Sequence, residues 1–133
     1  YKTILLANMK GIAGNWMMQA ESDLDSAKYN FKGKKYDVAA YLCQQSIEKG
    51  LKALCLKKNN ELLKIHDLVK LGSIIHAPKQ IISICNDLNP IYAEDRYPDF
   101  SEVIPAKKFS DKDIKQFLKK AERAIKWIKK NLK

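Results

Sequence analysis

Histidine and arginine, which supply much of enzyme chemistry, are scarce in this chain. It has only His66 and His76, and only Arg96 and Arg123. A zinc site would therefore have to be assembled from scattered residues. The cysteines are three, Cys43, Cys55 and Cys85. That is an odd number without a C-x-x-C pair, and all three fall in apolar helical patterns, so they read as reduced core residues. No metal and no cofactor is expected. Glycine (5) and proline (4) are too few for a fold of short strands and turns. No apolar run reaches ~18 residues, which excludes a transmembrane helix, and Ile4-Leu5-Leu6-Ala7 is too short for a signal-peptide core. The chain opens on Tyr1, which implies a missing or altered start. A glycine-rich phosphate loop, G-x-S-x-G and H-E-x-x-H are all absent, and with them the enzymes built on those motifs. The expected setting is cytoplasmic.

What is present is lysine, leucine, isoleucine, alanine and acid. With 133 residues and 46% of them apolar, the chain can bury one core without disulfides. The net charge of +10 favours anionic partners, or simply a solvated lysine-rich surface.

Periodicity predicts an all-α fold, an up-and-down bundle of four to five helices. Residues 1–14 contain Gly11 and Gly14, which break regular structure. They read as an arm or as a short packed helix, and residues 15–133 as the bundle domain. A first helix is expected from about Trp16 to Phe31, capped by Asn15, with Met17, Ala20, Leu24, Ala27 and Phe31 inward and Asp23 off that face. Gly33, with Lys34 and Lys35, should end it and make a short link. The second helix, Tyr36 to Lys58, is the longest uninterrupted pattern. Ala39, Leu42, Cys43, Ile47, Gly50, Leu51 and Leu54 form its stripe. Gly50 within that stripe suggests a close helix crossing. Asp67 is a candidate cap for a short helix to Ile75, which Ala77-Pro78 stops. Another helix begins near Lys79, and Asn89-Pro90 precedes a kink or a fresh turn. Residues 95–105 read as a loop. The last helix starts at Ser110, with Asp111 and Asp113 suiting its N-terminal dipole. Residues 112–133 hold nine basic side chains against two acidic ones. The dipole gives a structural reason for bases at the C-terminal end, and no aromatic or glycine motif for RNA is interleaved.

At 100° per residue, Gln45, Glu48, Lys49 and Lys52 share one sector of the second helix. The run A-Y-L-C-Q-Q-S-I-E-K-G-L-K-A-L, Ala40 to Leu54, resembles the signature helix of HEPN domains, roughly A-x-x-x-x-Q-x-x-E-K-x-L-K-A. His66-Asp67-Leu68, and Tyr92 with Arg96-Tyr97-Pro98-Asp99, are similar to that family's H-D-L and R-Y-P-D elements. Trp16, Ala20, Leu24 and Ala27 match its first helix.

The resemblance implies a helical bundle that forms homodimers and partners a minimal nucleotidyltransferase in a toxin–antitoxin-like pair. Some members cleave RNA, and others bind nucleotides or are non-catalytic. The RNA-cleaving branch carries an arginine followed four to six residues later by a histidine. Such a pair makes sense, because histidine moves a proton while arginine holds the phosphate. No histidine follows Arg96 or Arg123 here, so catalytic residues are not assigned. The expectation is a nucleotide-binding or partnering module. Its candidate ligand residues are Gln45, Glu48, Lys49, Lys52, His66, Arg96, Tyr97 and Asp99. The alternatives are a metal-independent RNase toxin with a non-standard site, using His66 with Arg96 or Lys52, and non-catalytic RNA binding through the last helix. Each candidate also has a structural reading: His66 anchoring a connector, Lys49 and Lys52 pairing with Glu48, Arg96 bonding Asp95 or Asp99, Tyr92 and Tyr97 packing a helix end.

Overall fold

A computed structural model describes residues 2–96, 98 and 102–133, with only the backbone described for 2–10, 95 and 96. Six α-helices follow in order: α1 (Lys2–Lys32), α2 (Tyr36–Asn59), α3 (Leu68–Ile74), α4 (Lys79–Leu88), α5 (Ile91–Arg96) and α6 (Asp111–Leu132). A 3-10 turn at Pro105–Lys107 precedes α6, and the described residues contain no strand. The all-α expectation holds. The sixth helix is α5, the fresh turn after Pro90.

The N-terminal boundary differs from expectation. Helix α1 runs unbroken through Gly11, Gly14 and Asn15, so Asn15 caps nothing. Two isolated glycines cost only about 1 kcal/mol each, which a long helix tolerates. Its C-terminus falls as expected, at Lys32, with Gly33, Lys34 and Lys35 as the short link. Lys34, not Gly33, adopts the left-handed conformation, with φ 60°. The Lys35 amide donates to the Asn30 carbonyl at 2.9 Å, closing a Schellman-type turn. That turn sends α2 back along α1.

Helix α2 is central: α1, α3, α4, α5 and α6 all pack on it. Ala39, Cys43, Ile47, Leu51 and Leu54 of its apolar stripe are buried, against Ala20 and Ala27 of α1 and Ile114, Ala121 and Ile128 of α6. Gly50 marks the crossing with α6, since a Cβ there would stand 2.9 Å from Ile128 Cδ1 and 3.3 Å from Ile125 Cδ1. Asn60 ends α2 at φ 53°. Ser110 and Asp113 form a reciprocal capping box that starts α6.

Candidate functional site

The site lies where the connector after α2 meets α3 and α5. Asp67 caps α3 by accepting from the Lys70 amide at 3.1 Å. Asn89 braces the same corner: its Oδ1 accepts from the Leu68 amide at 2.9 Å and its Nδ2 donates to Asp67 Oδ1 at 3.0 Å. These bonds fix the backbone on which His66 stands.

His66 turns inward to Glu48. Its Nδ1 lies 3.1 Å from both carboxylate oxygens. Glu48 is buried on α2 and also accepts from Lys52 Nζ at 3.1 Å and Gln44 Nε2 at 3.3 Å. Gln45 Nε2 in turn donates to Gln44 Oε1 at 2.8 Å. A buried carboxylate surrounded by donors is the arrangement that low dielectric demands. Lys52, itself buried, also stands 5.6 Å from the centroid of the Trp16 ring, a cation–π distance.

The His66 ring is clamped from the side as well. It stacks on Tyr92 at 4.2 Å between centroids and 13° between planes, and Tyr92 faces Tyr41 at 6.4 Å. His66 nevertheless keeps half its side chain exposed. It opens onto a cleft of about 360 Å³ shared with Asp67, Asn86, Asn89, Pro90 and Tyr92. Facing two carboxylate oxygens, which only accept, Nδ1 is the ring nitrogen placed to donate, and Nε2 is the one not engaged by Glu48.

The expected sector thus divides. Glu48, Lys52 and His66 meet, and Gln45 joins them through Gln44. Lys49 does not: it reaches α1 and pairs with Asp23, which also accepts from Gln19 at 2.9 Å. Asp23, placed off the apolar face by sequence, is buried and paired with Lys49. Tyr97, Asp99 and the Arg96 side chain lie outside the described residues. Sequence reasoning missed Gln44 and Asn89 as parts of the network. Gln44 carried a signal, its place one helical turn before Glu48. Asn89 had none, because its partners are more than twenty positions away.

No group of three or more potential metal ligands occurs among the described residues. No helix among them is long and apolar enough to cross a membrane.

The sequence profile of the HEPN domain matches residues 13–132. The fold also matches solved structures. The archaeal HEPN homologue ST0689 superposes with a TM-score of 0.80 at 30% identity, covering 91% of this chain and 98% of that one. TT1696 from Thermus thermophilus gives 0.83 at 22% identity, covering 90% and 97%. No curated protein matches the chain. The chain is a helical-bundle protein, and it belongs to the HEPN family.

Proposed function

We propose that this HEPN protein is a binding and partnering module that recognises a nucleotide at the His66–Tyr92 cleft. In this reading it acts as a homodimer beside a minimal nucleotidyltransferase. The observation that carries the reading is the half-exposed His66 ring, held by Glu48 and Tyr92 at the mouth of a cleft that Asp67, Asn86 and Asn89 also line. A rigid aromatic surface suits a base, and the imidazole nitrogen not engaged by Glu48 suits a sugar hydroxyl, which can both donate and accept. Arg96, Tyr97 and Asp99 follow directly in sequence and are candidates to complete the site. Calorimetry with ATP and the other nucleoside triphosphates should give saturable heat, reduced at least tenfold in affinity by His66→Ala. No heat with any nucleotide, together with no transferase recovered in a pull-down, would sink the proposal.

One observation favours a second reading, RNA cleavage. The Glu48–His66 pair is the carboxylate–imidazole arrangement that orients a general base. It predicts cleavage of RNA that His66→Ala abolishes. RNA left intact after long incubation with the pure protein excludes it.

A further inference from the structure

The outward face of α6 carries a charge pattern that the core does not require. Lys112, Lys119, Arg123, Lys126 and Lys130 are all exposed. Among the described residues, no carboxylate pairs with any of them. Other bases on the same helix are neutralised: Lys115 by Asp111 at 3.1 Å, Lys120 by Asp87 at 2.9 Å and Lys129 by Glu21 at 3.3 Å. At 100° and 1.5 Å per residue, the five unpaired cations fall within about 60° of the helix circumference and extend over about 27 Å. Ile114, Ala121, Ile125 and Ile128 lie buried on the opposite side. The helix dipole does not account for the stripe. It favours Lys130, but Lys112 stands in the first turn, where a cation is disfavoured. Beside Arg123, a cleft of about 430 Å³ leads to α4; it is lined by the Lys120–Asp87 pair and by Lys79, an exposed cation with no ion pair among the described residues.

We propose that this stripe is a track for the phosphodiester backbone of a nucleic-acid strand, RNA and DNA alike. From Lys119 to Lys130 the cations step by about 4.5–6 Å along the axis, so a flexible strand can set a phosphate against each. A protein surface fits less well, because interfaces need apolar or aromatic anchors and the stripe offers none. The aromatics of α6, Phe117 and Trp127, pack against the core and not among the cations, so contact is with the backbone and carries no sequence preference. The track is separate from the His66 cleft and does not depend on the nucleotide reading.

The test is fluorescence anisotropy with labelled twelve-residue oligo-dT and oligo-U between 25 and 200 mM salt. Both should bind, with log affinity falling against log salt by about 0.7 per phosphate neutralised, a total of about 3 or more. The variant K119Q/R123Q/K126Q/K130Q should lose at least tenfold in affinity at low salt and flatten the slope by nearly 3. The control K34Q/K35Q/K57Q/K58Q removes the same charge from exposed lysines elsewhere and should keep the slope. Circular dichroism shows whether each variant is folded. Equal losses in the two quadruple variants, a flat salt response, or equally tight binding of a twelve-residue poly-glutamate peptide would each overturn the proposal.

Discussion

Nδ1 of His66 stands 3.1 Å from each carboxylate oxygen of Glu48, eighteen positions earlier in the chain. That contact joins the connector to the centre of α2. It also makes Glu48 the acceptor for a buried lysine and an exposed histidine at once. Removing the carboxylate should therefore act on stability and on the site together.

Glu48→Ala would leave the Lys52 ammonium buried and unpaired. A loss of about 3–5 kcal/mol is expected in urea denaturation. The double variant Glu48→Leu/Lys52→Met should recover most of it, because an apolar pair of similar volume avoids the desolvation cost. If the double variant is as unstable as the single one, the ion pair is not the source of the loss.

The brace at Asn89 offers a gentler perturbation of the same corner. Asn89→Ala removes the acceptor of the Leu68 amide and one donor to Asp67. The expected cost is about 1–2 kcal/mol, the scale of a lost cap and an unsatisfied amide. Nucleotide affinity should weaken with it, because His66 is the neighbour of Asp67. An Asn89→Ala protein with unchanged stability and unchanged affinity would show that the brace positions nothing.

Much of this fold was legible because it rests on local pattern. The stripes of α2 and α6, the Asp67 cap and the Ser110 start are all periodicities or short motifs. The candidate site was half legible. Glu48 and Lys52 are one helical turn apart, so their contact follows from spacing. The capture of Lys49 by Asp23 could not be read, because it depends on how α1 and α2 are rotated against each other. The unbroken α1 was misjudged from Gly11 and Gly14, where weak local preference lost to a long helix. At neither position would a Cβ meet anything within 4 Å, so close packing does not explain them.

Glycine substitutions give a direct readout of that difference. Gly14→Ala enters open space on an exposed helix position and should stabilise by about 0.5–1 kcal/mol. Lys34→Gly should also stabilise, by about 1 kcal/mol, since Lys34 now holds a left-handed φ of 60° that costs an L-residue. Gly50→Val must push its methyls into Ile128 and Ile125 and should lose about 1–3 kcal/mol. Thermal melts of the three variants test the set, and a Gly50→Val protein melting with the parent would contradict the close α2–α6 crossing.

The cysteines impose a pH dependence with a definite sign. Burial pushes the Cys43 thiol to about 12, helped by the charge of Glu122. Burial likewise raises Cys85 to about 12, with a smaller contribution from Asp67, and it raises Cys55 as well. Unfolded thiols ionise near 9 and above, while the folded ones keep their protons. Between about pH 9 and 12 the unfolded state therefore binds fewer protons, and stability falls as pH rises. The stabilisation is complete below the unfolded value and is lost through the folded one. The slope is about 1.4 kcal/mol per pH unit for each fully shifted thiol. Urea midpoints at pH 8.5 and 10.5 should thus separate further for the parent than for Cys43→Ala/Cys85→Ala, in which lysine titration is the same. The same protonation keeps the thiols inert, so iodoacetamide at pH 8 should label the native protein slowly and the urea-unfolded protein at all three cysteines. Fast labelling of the native protein would mean that the helices around Cys43 and Cys85 open far more often than their packing against α6 implies.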